Sequence, residues 1–182
     1  GGRGTAALLQ EAAAKHGIQC AVVPEYRMEN ITVSSTYIRT LITSGDLDRA
    51  RWFLGHPHML SGKVVEGRHL GRTLGIPTAN LIPDQDLVLP PNGVYACRVR
   101  TQDGSYIAVA NIGTRPTVQG HKLTIEPWLL DYTGDLYGQV VTLELWHFLR
   151  EERKFANLEE LRHEILRNAQ QTRVFFADPT QT

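Results

Sequence analysis

From Met59 to His147 the apolar residues recur at every second position, and turn-forming clusters cut the pattern into short pieces. A side chain that alternates sides every residue belongs to a strand with two different faces. The alternation predicts strands over residues 62–66, 94–100, 105–111, 122–131 and 139–147, with a short one over 78–81. Between them lie Pro90-Pro91-Asn92-Gly93, Asp103-Gly104, Gln119-Gly120 and Thr133-Gly134-Asp135, which carry the residue types that reverse a chain. Five or six short strands at this spacing fold as an antiparallel barrel or a sandwich. A barrel is preferred, because some strands lack a cleanly polar outer face. A helix follows: Asn157 can cap it with Glu160 as capping-box partner, and Leu158, Leu161, Ile165 and Ala169 form one stripe directed at the barrel.

Residues 1 to about 54 have a different period. Thr5 can cap a helix running to Ala14 and stopped by Gly17, and residues 18–23 form a β-prone run ended by Pro24. Ser34 or Ser35 can open a second helix through Ile38, Leu41 and Ile42; Asp46 can cap a third through Ala50, Trp52, Phe53 and Leu54, closed by Gly55. One strand among three helices has no neighbour with which to pair. The expectation is therefore an α/β remnant over 1–55 and a β-barrel domain over 56–182. No signal peptide is expected, and a first residue Gly1 in place of Met points to a fragment of a longer protein.

Composition narrows the function classes. The 182 residues carry 19 basic and 19 acidic side chains, whereas a nucleic-acid binder normally shows a basic excess. The rival reading of a small barrel binding single-stranded nucleic acid also wants aromatics interleaved with the basic groove, and only Tyr95 and Tyr106 are candidates. No apolar run approaches the roughly 20 residues of a membrane-spanning helix. Cys20 and Cys97 are far apart and outside any metal-ligand spacing, so free thiols in a reducing cytoplasm are expected. The seven histidines do not cluster; Trp52, Trp128 and Trp146 read as packing residues.

The stretch Gly67-Arg68-His69-Leu70-Gly71-Arg72-Thr73-Leu74-Gly75-Ile76-Pro77-Thr78-Ala79-Asn80 is the most informative. Three glycines four residues apart let the backbone wrap closely around a ligand, as in loops that cradle phosphates. Pro77 stiffens the exit. Thr78 and Asn80 then fall on one side of an extended segment and offer two oxygens to one hard cation. The pattern is neither a Walker loop nor a dinucleotide fingerprint; the glycine spacing alone favours a plain inter-strand connection, and the Pro77-Thr78-Ala79-Asn80 that ends it shifts the balance.

Gly71-Arg72-Thr73-Leu74-Gly75-Ile76-Pro77-Thr78-Ala79-Asn80 resembles the signature of the riboflavin kinase family. The order of the chain resembles the bacterial bifunctional members, in which this module is joined to an FMN adenylyltransferase. Ser34-Ser35-Thr36-Tyr37-Ile38-Arg39 resembles an element near the end of the adenylyltransferase part, with Ser35, Thr36 and Arg39 as its phosphate-directed residues. The resemblance implies a six-stranded Greek-key barrel with a C-terminal helix, and phosphorylation of riboflavin by ATP to give FMN and ADP. It implies ATP binding by Gly67, Gly71, Arg72, Gly75, Pro77, Thr78 and Asn80, with Mg²⁺ on Thr78 and Asn80. Small molecules are the expected partners, without nucleic acid or membrane; self-association is left open.

A general base should be an acidic residue within a strand. Glu126 interrupts the apolar run Leu123–Leu130, where a lone carboxylate is costly unless paired or functional; a solvent-facing position on an edge strand beside Pro127 is the plainer alternative. The resemblance places the base at Glu126 rather than Glu144, although Pro127-Trp128 stand where the family usually has a small residue and then histidine. Residues 111–117 also resemble a family element, and no role is assigned to them. Residues 149–155 resemble a segment that closes over the flavin, which implies flavin contacts from Arg150 and Phe155.

Overall fold

A computed structural model describes residues 4–67, 75–83, 87–117 and 120–180. The chain forms two compact units, Gly1–Ser34 and Ser35–Thr182.

In the first unit, helix α1 (Ala6–Lys15) starts where the Thr5 hydroxyl accepts the Leu8 N–H at 3.2 Å. Gly17, at φ 66°, turns the chain out of the helix. The strand expected over 18–23 does not form, and Ile18, Val22 and Val23 stay exposed. A β-prone run becomes a strand only beside a neighbour that accepts its hydrogen bonds. The neighbours that do pair here are β1 (Arg27–Met28) and β2 (Ile31–Thr32), joined by Glu29 and Asn30 at φ 50° and 63°. Two successive positive φ values are what a tight primed hairpin turn requires.

The second unit opens with α2 (Ser35–Ser44) and α3 (Leu47–Leu54). Asp46 caps α3 by accepting the Arg49 N–H at 3.2 Å, and Gly55 ends it in the left-handed conformation at φ 75°. Leu47 belongs to the core of the barrel that follows. Trp52 is exposed, contrary to its reading as a packing residue, whereas Trp146 is buried. Trp52 has no covering element among the described residues, while Trp146 meets Phe176 edge-on and the guanidinium groups of Arg51 and Arg98.

Strands β3 (His58–Val65), β4 (Asn80–Pro83), β5 (Gly93–Thr101), β6 (Gly104–Thr117), β7 (Gly120–Leu129) and β8 (Val140–Arg150) close into an antiparallel barrel of order β3-β4-β7-β6-β5-β8. Strands β5, β6 and β7 form successive hairpins and β8 returns beside β5, which is the Greek key. Leu60, Val64, Leu81, Tyr95, Val99, Ile112, Ile125, Leu143 and Leu145 fill the interior. Pro127 does not mark an edge, because β7 lies between β4 and β6. Its carbonyl accepts the Ala79 N–H at 2.9 Å, so the side of Pro127 that lacks a donor faces the beginning of the β4 pairing, where little of the ladder is lost.

Helix α4 (Leu158–Ala177) packs on β5 and β6. Asn157 caps it through Oδ1, which accepts the Glu160 N–H at 2.8 Å. Its covered face is more polar than the expected stripe: Leu158 is exposed, while Glu164, Asn168, Ala169 and Thr172 are buried. Arg150 and Arg153 supply the partners that make this burial tolerable.

Gly62 faces Pro83 across β3 and β4, and a β-carbon on it would overlap the backbone of Ile82 and Pro83. Backbone in a closed sheet cannot step aside, so Gly62→Ala is expected to destabilise the protein by about 1–3 kcal/mol. Urea unfolding of the two proteins reads the difference directly.

Candidate active site

Barrel register assembles the site. Leu81 of β4 pairs with Ile125 of β7, and the Ala79 N–H donates to the Pro127 carbonyl. Asn80 therefore sits directly across from Glu126. On the other side of β7, Glu126 pairs with Asn111 of β6. Opposed residues of adjacent strands share one face and hold their β-carbons about 4.5–5.5 Å apart. Leu81, Ile125, Ala110 and Ile112 point into the core, so alternation sends Asn80, Glu126 and Asn111 to the outer face as one row. All three are half-buried.

The glycine-rich stretch meets this row at its first residue. A β-carbon on Gly67 would overlap the Asn80 carboxamide, so glycine is what lets the backbone lie against that side chain. Gly75 is required for another reason: at φ 71° it is exposed with open space around it, so its demand is conformational. The next residue, Ile76, is buried and anchors the end of the loop. Gly71 and Arg72 lie outside the described residues.

Thr78 stands two residues before Asn80. Ala79 and Leu81 pack inward, whereas Thr78 is half-buried and precedes β4. Pro77 and Thr78 also line a cavity of about 280 Å³ with Leu129, Tyr132, Asp135 and Tyr137. Asn80 offers a hard, neutral amide oxygen across from the Glu126 carboxylate and Thr78 a hydroxyl two residues earlier, donor types that fit Mg²⁺ sharing its shell with phosphates and water.

A second cavity, about 390 Å³, lies between the end of α2 and the β8–α4 connection, lined by Ser44, Gly45, Pro91, Asn92, Phe148, Glu151 and Glu152. Tyr95 shapes it from within: its ring meets Phe148 edge-on at 5.2 Å, and its hydroxyl donates to the Pro91 carbonyl. Glu152 reaches the Asn80–Glu126–Asn111 row, where its Oε1 accepts from Asn111 Nδ2 at 3.0 Å.

Arg150 and Phe155 are brought together, with the guanidinium 5.6 Å from the ring centroid. Arg150 Nε also donates to Asn168 Oδ1 at 3.0 Å and lies 3.4 Å from Glu164. Burial pulls the Arg150 pKa below the usual arginine range, and the Glu164 carboxylate opposes that pull. Arg150 is thus an anchor between β8 and α4. Glu144, the competing candidate for the base, is 1% exposed, paired with Arg100 and accepting from Trp146 Nε1 at 3.2 Å. Its surroundings are those of a structural carboxylate. Ser35, Thr36 and Arg39 lie exposed on the first turns of α2. Asn111 and Glu152 had no role from sequence; the signal available was the polar Asn111, outward at the strand position opposite the proposed base.

Residues 54–176 match the riboflavin kinase family, also described as flavokinase. The chain belongs to the riboflavin kinase family. It is 40% identical over 177 residues to the bifunctional riboflavin kinase/FMN adenylyltransferase of Escherichia coli K12, covering 97% of this chain and 56% of that protein. The chain thus spans little more than half the length of such curated relatives. Among solved structures, a Streptococcus pneumoniae protein described as a macrolide-efflux protein superposes with TM-score 0.83 at 32% identity, over 94% of this chain and 55% of its own. The Trypanosoma brucei riboflavin kinase superposes with TM-score 0.52 at 29% identity, over 69% and 81%. No described helix of this riboflavin kinase family member is long and apolar enough to cross a membrane.

Glu164 also lies 2.8 Å from Arg153 and 3.8 Å from Arg167. Glu164→Gln removes the charge that balances the partly buried Arg150, and a loss of about 1–2 kcal/mol is expected because all three arginines keep some access to water. Denaturant melts check the value, and the loss should shrink in Arg150→Met, where no buried guanidinium remains to be balanced.

Proposed function

We propose that this chain transfers the γ-phosphoryl group of ATP to the ribityl 5′-hydroxyl of riboflavin, giving FMN and ADP. The observation that carries the reading is the placement of Asn80 and Glu126 face to face on the outer surface of β4 and β7, with the backbone of Gly67 against Asn80. A carboxylate beside two hard oxygen donors and a glycine-rich loop is what a phosphoryl transfer to an alcohol requires.

In this reading the hydroxyl gives its proton to Glu126 as its oxygen bonds to the γ-phosphorus, and the bond to the bridging β–γ oxygen breaks to release ADP. Phosphoryl transfer proceeds through a loose transition state, so alignment contributes as much as proton removal. Thr78 and Asn80 would hold Mg²⁺, which supplies charge neutralisation at the phosphate oxygens. Gly67, Gly75 and Pro77, with Gly71 and Arg72 of the same loop, bind the nucleotide. Arg150 and Phe155 border the flavin. Residues 1–55 are read as the end of an adenylyltransferase module, with Ser35, Thr36 and Arg39 its surviving element. The whole protein would then also adenylate FMN to FAD, in the cytoplasm.

Incubation with riboflavin, ATP and Mg²⁺, followed by chromatography for FMN, tests the reaction. Glu126→Gln is expected to lower FMN formation by about 10²–10⁴ while riboflavin and ATP binding stay within about tenfold. Activity within a factor of about three of the parent would remove Glu126 from the mechanism. Thr78→Val and Asn80→Leu should each raise the Mg²⁺ concentration needed for turnover, and excess metal should only partly restore it, because one protein oxygen is lost from the shell. An Mg²⁺ titration of the rate, with riboflavin affinity followed by flavin fluorescence, separates the metal defect from a flavin defect.

A further inference from the structure

Asn111 and Gly113 are two residues apart on β6 and therefore share the outer face. The Glu152 carboxylate occupies that face. Its Oε1 accepts from Asn111 Nδ2 at 3.0 Å, and it fills the space a side chain on Gly113 would need. The amide donor and the bare glycine together form a seat for one carboxylate. Glu152 belongs to the connection that leaves β8 after Arg150 and walls the cavity of about 390 Å³. Asn111 is also the β6 partner of Glu126. The seat thus adds a direct side-chain contact between the wall of the cavity and the row that carries the proposed base.

We infer that Asn111, Gly113 and Glu152 form a positioning latch for the phosphoryl transfer, holding the β8–α4 connection against the reactive row and fixing the Asn111 carboxamide beside Glu126. The inference rests on the kinase reading above. None of the three is a catalytic residue in this scheme; each acts through Glu126 and through the cavity wall. The latch accounts for glycine at 113, where any β-carbon would push the carboxylate off Asn111. It also accounts for a polar amide on a strand whose neighbouring outward positions, Val109 and Ile107, pack beneath α4.

The geometry offers two independent ways to open the latch without touching Asn111. Glu152→Ala removes the acceptor from an exposed side chain. Gly113→Ala leaves Glu152 intact but fills its seat, and the atoms it displaces are the far end of a flexible side chain. Both variants are expected to lower kcat by about tenfold with KM for MgATP within about twofold, since alignment is lost and nucleotide binding is not. Glu152→Gln keeps an acceptor oxygen for Asn111 and should recover kcat to within about threefold of the parent. Because both changes break one contact, the double variant Gly113→Ala/Glu152→Ala should be no slower than the slower single variant by more than about twofold.

An active parent whose single variants keep kcat within about twofold, or whose double variant shows the product of the two losses, overturns the latch and leaves the kinase reading standing. A parent that forms no FMN overturns the kinase reading and the latch with it. Thermal melts of each variant, with kcat measured well below the transition, distinguish misalignment from unfolding; a kcat loss that vanishes below the transition counts against the latch.

Discussion

The six-stranded sheet closes on itself, β8 pairing back onto β3. Each of the six strands is paired on both sides, so no strand can slip by one residue without turning its whole apolar set outward. That rigidity decides which residues meet. Asn80, Glu126 and Asn111 come from segments far apart in the chain, yet the register of β4, β7 and β6 sets them in one row. A mobile loop could bring the same groups together only at the entropic cost of ordering it on each turnover.

The outer surface of the barrel buries charge in a consistent way. Glu144 is almost wholly covered, but Arg100 and the Trp146 indole N–H engage its oxygens. Glu164 and Asn168 take the covered face of α4 because Arg150 and Arg153 reach them from the connection between β8 and that helix. Replacing such polar pairs by apolar residues often costs little stability. Their contribution here is geometric: they fix where the connection leaves the barrel, and so where Glu152 can reach.

Much of the fold was legible because its signals are local. The alternation after Met59, the Asp103-Gly104 turn and the caps at Thr5, Asp46 and Asn157 act over a few residues, and each matches the structure; Gln119 of the Gln119-Gly120 turn lies outside the described residues. The errors arose where a partner decided the outcome. Residues 18–23 have strand chemistry without a pairing neighbour among the described residues. Leu158 has the right spacing, but the covered face of α4 rotates toward the polar residues that meet Arg150 and Arg153. Trp52 has the size of a core residue and no covering element.

The same division holds at the site. Local pattern sufficed for the barrel class, the glycine-rich stretch and the oddity of a carboxylate within the apolar β7 run, because alternation and backbone freedom are properties of neighbouring residues. Local pattern could not set Glu126 opposite Asn80 and Asn111, pair Glu144 with Arg100, or seat Glu152 over Gly113. Those facts depend on strand order and register, which the closing of the sheet sets and no stretch of sequence contains.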